Sequence, residues 1–171
     1  MLIIFTGLPG TGKSTLAGAL ASRLKGVVLN KDIVRHEMFG RDGITFTTEQ
    51  DDFVIDEMLR RGANLFREDP GRVVIIDGRV FSQNSQLKHL TDFADSIPTE
   101  WRVIECICSE ASARQRLAAD VGKHIAANRT PVLYDRVRSR FEPIPQPKLV
   151  IDTDQSLQSC IDQARSALDT K

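Results

Sequence analysis

The chain has little that would let it bind by bulk charge, cross a membrane or depend on cross-links. Its 23 basic and 23 acidic side chains cancel, so the net charge is zero. That gives no broad electrostatic capture of nucleic acid or of an anionic membrane, although a local basic cleft can still form. No apolar run approaches the roughly 18–20 residues that a membrane span requires. The first residues lead straight into a strand-like segment and leave no room for a signal peptide, so a cytoplasmic location is expected. Only three cysteines occur, Cys106, Cys108 and Cys160. Two of them alternate in a strand-like run, Trp101-Arg-Val-Ile-Glu-Cys-Ile-Cys108, which would turn both thiols to one face. Small buried thiols in a reducing compartment are the expectation. A zinc site would want further Cys or His ligands at suitable spacing, and the three histidines are scattered. There is no internal repeat and no low-complexity linker. Glu142-Pro-Ile-Pro-Gln-Pro147 reads as a stiff connector too short to divide domains. The 171 residues therefore read as one α/β domain, residues 1–171, large enough for a core without disulfides or metals.

What the chain does have begins at once. A short apolar run, Leu2 to Phe5, leads into Gly7-Leu8-Pro9-Gly10-Thr11-Gly12-Lys13-Ser14-Thr15. This fits the phosphate-loop pattern G-x-x-x-x-G-K-[ST] in full. Gly7, Gly10 and Gly12 let the backbone turn tightly and bring N–H groups close to a polyphosphate. A helix starting at about Gly12 adds the positive end of its dipole. Lys13 is placed to reach the β- and γ-phosphates, and Ser14 to ligate the accompanying magnesium ion. The strand before and the helical pattern after supply the context that separates this motif from a mere Gly-rich turn.

Further strand-like runs lie at Val27–Leu29, Val73–Ile76, Arg102–Ile107 and Lys148–Ile151, with helical patterns between them. Thr47-Thr-Glu-Gln50 resembles a capping box ahead of a long helix carrying Ile55, Met58, Leu59, Ala63 and Phe66, which Asp69-Pro-Gly71 stops. A C-terminal helix carries Leu157, Ile161, Ala164 and Leu168 on one stripe. Strict alternation of strand and helix predicts a parallel sheet with helices on both faces. Sites in such sheets sit beyond the carboxyl ends of the strands.

Two strand ends carry chemistry. The second gives Asn30-Lys31-Asp32-Ile33-Val34-Arg35. Asp32 could take a proton from an acceptor hydroxyl, or merely cap a helix beginning at Ile33. Arg35, one turn later, could hold a substrate anion or steady the transferring phosphoryl group. The third gives Val73-Val-Ile-Ile-Asp77-Gly78-Arg79, the Walker-B form, in which Asp77 supports magnesium or its water shell or instead orients substrate, and Arg79 either points into the same cleft or is a solvated loop arginine. A dense basic segment follows, with Arg114, Arg116, Lys123, His124, Arg129, Arg136, Arg138 and Arg140. Its middle, about residues 120–131, breaks helical periodicity and is the expected lid. Arg116 and Arg129 are the expected phosphate contacts, while Arg136, Arg138 and Arg140 look like one solvated helix face.

The phosphate loop, Asn30-x-Asp32-x-x-Arg35, Ile76-Asp77-Gly78, the Arg-rich lid and Phe141-Glu-Pro143 together resemble the small phosphate-loop kinases of the AAA_33 type. That broader group includes polynucleotide 5′-kinase, chloramphenicol phosphotransferase and gluconate kinase. The resemblance covers most of the chain. It implies a P-loop NTPase three-layer sandwich with a five-stranded parallel sheet, and ATP-dependent phosphorylation of an alcohol. Asn30, Asp32 and Arg35 are most similar to the loop of polynucleotide 5′-kinase in which the aspartate is the general base. A similar acid–x–acid–x–x–arginine run occurs in adenylylsulfate kinase. One departure stands out: Asp120 lies four residues after Arg116, where many relatives have an arginine, which shifts the expected phosphate role to Arg129.

The sequence thus predicts a phosphotransferase using ATP and Mg²⁺. Residues 7–15 and Arg116 bind nucleotide, Ser14 and Asp77 hold the metal, and Asp32, Arg35 and Arg79 face the substrate. Lys13, Asp32, Arg35 and Arg129 form the expected catalytic set. The acceptor is a hydroxyl-bearing small molecule or a nucleotide or polynucleotide end; neutral net charge argues against a long nucleic acid without excluding it. No guanine-reading N-K-x-D sequence occurs, and the family habit is ATP. The rival readings are a regulatory ATPase or NTP-binding switch without an acceptor, and a nucleoside-monophosphate kinase.

Overall fold

Five parallel strands form a single sheet in the computed structural model, which describes residues 1–120 and 130–169. They are β1 (Leu2–Thr6), β2 (Val27–Asn30), β3 (Val74–Asp77), β4 (Trp101–Ile107) and β5 (Leu149–Asp152), in spatial order β2-β3-β1-β4-β5. Each expected strand is present, within a residue at either end. Leu2 lies opposite Val74 of β3 on one side and opposite Trp101 of β4 on the other. β1 is therefore central, and all five of its residues are buried. A strand covered on both faces reads as a continuous apolar run, which Leu2-Ile-Ile-Phe5 is.

The described residues form seven helices: α1 (Lys13–Leu24), α2 (Lys31–Phe39), α3 (Thr48–Glu68), α4 (Asn84–Asp95), α5 (Glu110–Asp120), α6 (Pro131–Arg138) and α7 (Leu157–Asp169). Strand alternation divides the core between them. Ile3, Phe5, Ile75, Ile104, Cys106 and Ile151 turn to one face, where α1 supplies Leu16 and Leu20 and α7 supplies Cys160, Ile161 and Ala164. Leu2, Ile4, Leu29, Val74, Ile76 and Val103 turn to the other, under α2, α3 and α4. A small third cluster, Ala113 and Leu117 of α5 with Tyr134 of α6, packs on Leu8 and Cys108 above the carboxyl end of β1. The three-layer sandwich is as expected.

Some local expectations change. Strict alternation gives way to two helices between β2 and β3, and two between β4 and β5. On α3 the buried stripe is Val54, Ile55, Met58, Leu59, Gly62 and Phe66, with Ala63 only half-buried. On α7 Leu157 is 44% exposed and Cys160 takes its place in the core. Cys106 and Cys108 do not share a face: β4 ends at Ile107, so Cys106 is buried under α1 and α7 while Cys108 is half-buried beneath α5. Burial pushes the Cys106 thiol up to about 12, so it stays protonated and inert. No helix among the described residues is long and apolar enough to cross a membrane.

Candidate active site

The loop from β1 to α1 is shaped by contacts only glycine permits. Gly7 has φ +127°, and a Cβ there would stand 2.2 Å from the Cys106 carbonyl oxygen on β4. Gly12 is the N-cap of α1, makes no side-chain capping bond, and no acidic residue stands in the first turn. In α2, α3 and α6, by contrast, Asn30, Thr47 and Thr130 accept from first-turn N–H groups. The α1 terminus is thus left with bare donors and a positive dipole end, a ready-made anion site. Lys13 curls back over the loop, its Nζ donating to the Gly7 (2.8 Å) and Leu8 (2.7 Å) carbonyls. Ser14 and Thr15 are exposed and line the cleft beside it.

Asn30 organises the neighbouring strand ends. Its Nδ2 donates to Asp77 Oδ2 at 2.6 Å across the β2–β3 pair. Its Oδ1 accepts from the Asp32 (3.0 Å) and Ile33 (3.2 Å) backbone N–H groups. The helix therefore begins at Lys31, and Asn30 rather than Asp32 caps it. That corrects the alternative reading of Asp32 as a cap and leaves its carboxylate for other work. Asp32 Oδ1 accepts from Arg35 at 2.9 Å, and its Oδ2 makes no hydrogen bond among the described residues. Asp77 Oδ1 is buried without a partner among them.

Opposite α2, the start of α3 brings two acids that sequence reasoning missed, Asp51 in its first turn and Asp52 just after it. Asp51 accepts from Arg35 through one oxygen and from Lys31 through the other, the latter at 3.1 Å. Asp52 accepts from Arg79 at 2.6 Å. Arg35 also lies over the Phe46 ring at 5.2 Å, and Arg79 over Phe81 at 5.9 Å. The visible signal was the Thr47 cap itself. Thr47 accepts from the Gln50 N–H (3.2 Å), but Gln50 reaches back to the Thr45 and Phe46 N–H groups instead of closing the box.

Arg116 turns to the back of the loop. It donates to Gly10 O (3.4 Å), Thr153 Oγ1 (3.0 Å) and Thr153 O (2.8 Å) and lies 3.5 Å from Asp154. Thr153 in turn donates to Thr11 O at 3.0 Å. Arg114 and Arg138 are spent on Glu110, and Arg114 also on Asp135, bracing α5 to α6 around Tyr134. Arg136 and Arg140 are exposed yet line the cleft, so the three arginines do not share one solvated face. Arg129 and nearly all of the expected lid lie outside the described residues. The loop, α1, α2, the α3 start, the Gly78–Ser82 segment, Arg116, Arg136 and Arg140 enclose a cleft of about 700 Å³.

A family model described as an AAA domain, AAA_33, matches residues 2–144. The chain belongs to this family. No curated protein matches the sequence significantly. The AAA_33 chain is similar to the crystal structure of a candidate kinase from Chloroflexus aurantiacus, at 25% identity over 96% of each chain with a TM-score of 0.75. It also shares its fold with APS kinase from Mycobacterium tuberculosis in complex with AMPPNP and APS (18% identity, 99% of this chain and 97% of that one, TM-score 0.71). A gluconokinase from Sinorhizobium meliloti has the same fold (17% identity, 97% and 90%, TM-score 0.64). The architecture is that of the small P-loop kinases. The AAA_33 match ends at Ile144, so Thr153 and Asp154, which grip Arg116, lie beyond it.

Proposed function

We propose that the chain is one phosphotransferase domain that moves the γ-phosphate of Mg–ATP to a hydroxyl group of a small molecule or of a nucleotide or polynucleotide end. The observation that carries this reading is Asp32 in the same cleft as the bare α1 terminus. Asn30 relieves it of capping, Arg35 holds one oxygen, and the other is left for a hydroxyl. A nucleotide switch has no use for such a carboxylate, and a phosphate acceptor would be repelled by it.

The acceptor oxygen bonds to the γ-phosphorus as the bond from that phosphorus to the β,γ-bridging oxygen breaks, and the electron pair leaves on ADP. Such transfers pass through a loose transition state, so positioning and charge neutralisation carry the catalysis. The α1 N–H groups hold the triphosphate, and Lys13 exchanges its two loop carbonyls for phosphate oxygens. Asp32 takes the hydroxyl proton and passes it to solvent. Arg35 keeps the carboxylate aimed, and Arg129 remains the proposed lid cation. Ser14 and Asp77 would hold the magnesium ion or its water shell; Asp77 Oδ1, buried and without a partner among the described residues, is an acceptor suited to that task. An ion held there would supply charge neutralisation for the triphosphate.

Asp32→Asn tests the reading. The change keeps size and removes the proton acceptor. Transfer of labelled phosphate from ATP to an alcohol should fall roughly 10²–10⁴-fold, the usual worth of a positioned base. ATP affinity, measured by calorimetry, should stay within about twofold, because the loop and Lys13 carry it. A transfer rate within about threefold of the parent removes Asp32 from the mechanism.

A further inference from the structure

The rim of the sheet opposite the phosphate loop carries a second cavity, of about 590 Å³, that the transfer chemistry does not use. It lies where two paired strands part. β4 begins at Trp101, but its pairing with β5 begins only at Ile104, opposite Leu149. The chain enters β5 through Gln146, Pro147 and Lys148, which line the cavity across from residues 101–104. β4 therefore runs three residues, about 10 Å, past the start of its neighbour. The backbone groups of successive strand residues turn to alternate sides, and Leu2 of β1 sets the alternation by donating its N–H to the Glu100 carbonyl at 2.8 Å. Glu100 and Arg102 thus face β1. Trp101 and Val103 turn their N–H groups into the gap, where no residue of β5 meets them. The Trp101 carbonyl is already taken by Arg102 Nη1, at 2.9 Å. A strand edge left open in this way is a template for pairing with another chain.

The two walls of the gap belong to different layers. Trp101 and Val103 pack with the core under α4, whereas Ile104, Leu149 and Leu168 pack with the core under α7. A strand lying in the gap would turn alternate side chains to these two walls. The α7 wall is apolar at Leu149, Ala167 and Leu168, and its Arg102 is paired with Glu100 at 3.7 Å. On the Trp101 wall, Lys148 is matched by Glu105 at 2.6 Å. Asp95 meets no cation among the described residues and accepts from the indole Nε1 at 2.8 Å. An indole beside a carboxylate attracts a cation through the ring face and through charge.

We infer that this notch docks an extended peptide segment of another protein, which adds a short strand beside β4. Its carbonyls accept from the Trp101 and Val103 N–H groups. One apolar side chain enters against Leu149 and Leu168, and the Lys or Arg next to it in sequence lies on Trp101 near Asp95. Main-chain bonds supply the affinity and the two unlike walls the selection, as in other strand additions. A purely apolar small molecule would leave both N–H groups unpaired, and an acidic segment would set its charge against Asp95. The notch stands at the amino ends of the strands, so a docked partner leaves the cleft at their carboxyl ends open.

Trp101 is the chain's single tryptophan, so its fluorescence reads the notch directly. The probes are acetylated, amidated pentapeptides that alternate Val, Leu, Ile or Phe with Lys or Arg. At least one should shift the emission saturably below about 1 mM and slow hydrogen exchange at the Trp101 and Val103 amides. Replacing its basic residues by Glu should weaken it about tenfold or more. Leu168→Glu should do the same while Mg–AMPPNP affinity stays within about twofold, the check on folding, and Leu168→Met should bind as the parent does. No saturable shift from any member up to about 1 mM overturns the docking site. A shift without protection of the two amides overturns strand addition. Self-association seen by sedimentation and lost in Leu168→Glu makes the occupant a second copy of this chain and overturns the assignment to another protein.

Discussion

A lysine in the wall of a cleft is an odd place to keep a proton, and Lys31 records that in its acidity. Burial lowers it from 10.5 to about 7. The groups around it are Asp32 and Arg35 on α2, Asp51 on α3, and Arg79 and Asp77 beyond and on β3, none of which ordinarily titrates between pH 7 and 10. In that window the unfolded chain binds a proton at this position that the folded chain does not. Stability therefore rises with pH, by at most about 1.4 kcal/mol per unit, is fully gained above 10.5, and is lost as the pH falls towards 7. Urea unfolding of the parent and of Lys31→Met, compared at pH 6, 7.5, 8.5 and 9.5, isolates the effect. The parent should gain on the variant by about 1 kcal/mol per pH unit above 7 and show no trend below about 6.5. A difference that stays flat from pH 7.5 to 9.5 would mean that Lys31 keeps its proton throughout. At this scale the sequence was readable wherever partners are local. Asp32 and Arg35 stand one turn apart, so their ion pair follows from helical spacing. Asp51 and Asp52 lie 16 and 27 residues from the arginines they meet, and only the packing of α2 on α3 and on the β3 end joins them.

Two glycines, one in the phosphate loop and one in α1, set apart what a loop requires from what a helix tolerates. Gly10 has φ +79°, and a Cβ there would lie 2.6 Å from the Ala113 carbonyl of α5. Backbone cannot yield as a side chain end does, so Gly10→Ala combines strain with a clash between the loop and α5. Gly18, midway along α1, is exposed and a Cβ would meet nothing within 4 Å. Gly18→Ala should stabilise by about 0.5–1 kcal/mol through helix propensity. Gly10→Ala should destabilise by roughly 1–3 kcal/mol and weaken Mg–ATP binding as well. Thermal unfolding of both variants, with and without nucleotide, gives the comparison; a stable Gly10→Ala protein with parental ATP affinity would show that the loop does not hold this shape. Element positions were legible because apolar runs and caps are local signals. Helix α2 was legible only as a helix beginning at Ile33 with Asp32 as its cap, because the actual cap, Asn30, looks like part of a catalytic motif and its work as a cap depends on where β2 stops.

At the scale of the molecule, the order β2-β3-β1-β4-β5 decides which loops meet. The chain leaves β1 toward one side and returns on the other, so the phosphate loop opens at the reversal point of the sheet, where such folds bind ligands. Parallel pairing sends every strand's carboxyl end to that one rim. Periodicity predicted the strands and their parallel sense, but spacing along the chain says nothing of which strand lies beside which. The consequence is Arg116, which lines the cleft and also joins α5, the phosphate loop and the loop after β5. The brace predicts a specific pattern. Arg116→Ala should remove charge-assisted hydrogen bonds worth about 1.5–3 kcal/mol, part of it as stability and part as loop order needed for binding. Affinity for Mg–ADP and for Mg–AMPPNP should then fall together, by roughly 5–30-fold, since both need the loop in shape. A contact with the γ-phosphate would instead weaken AMPPNP while sparing ADP. Arg114→Ala, which removes surface ion pairs to Glu110 and to Asp135 of α6 away from the loop, should move neither by more than about twofold. Calorimetric titration of the two nucleotides into the three proteins separates the outcomes: a loss confined to AMPPNP returns Arg116 to the triphosphate, and a matched loss makes the rim of the sheet, stitched by one arginine, the element that holds the loop ready.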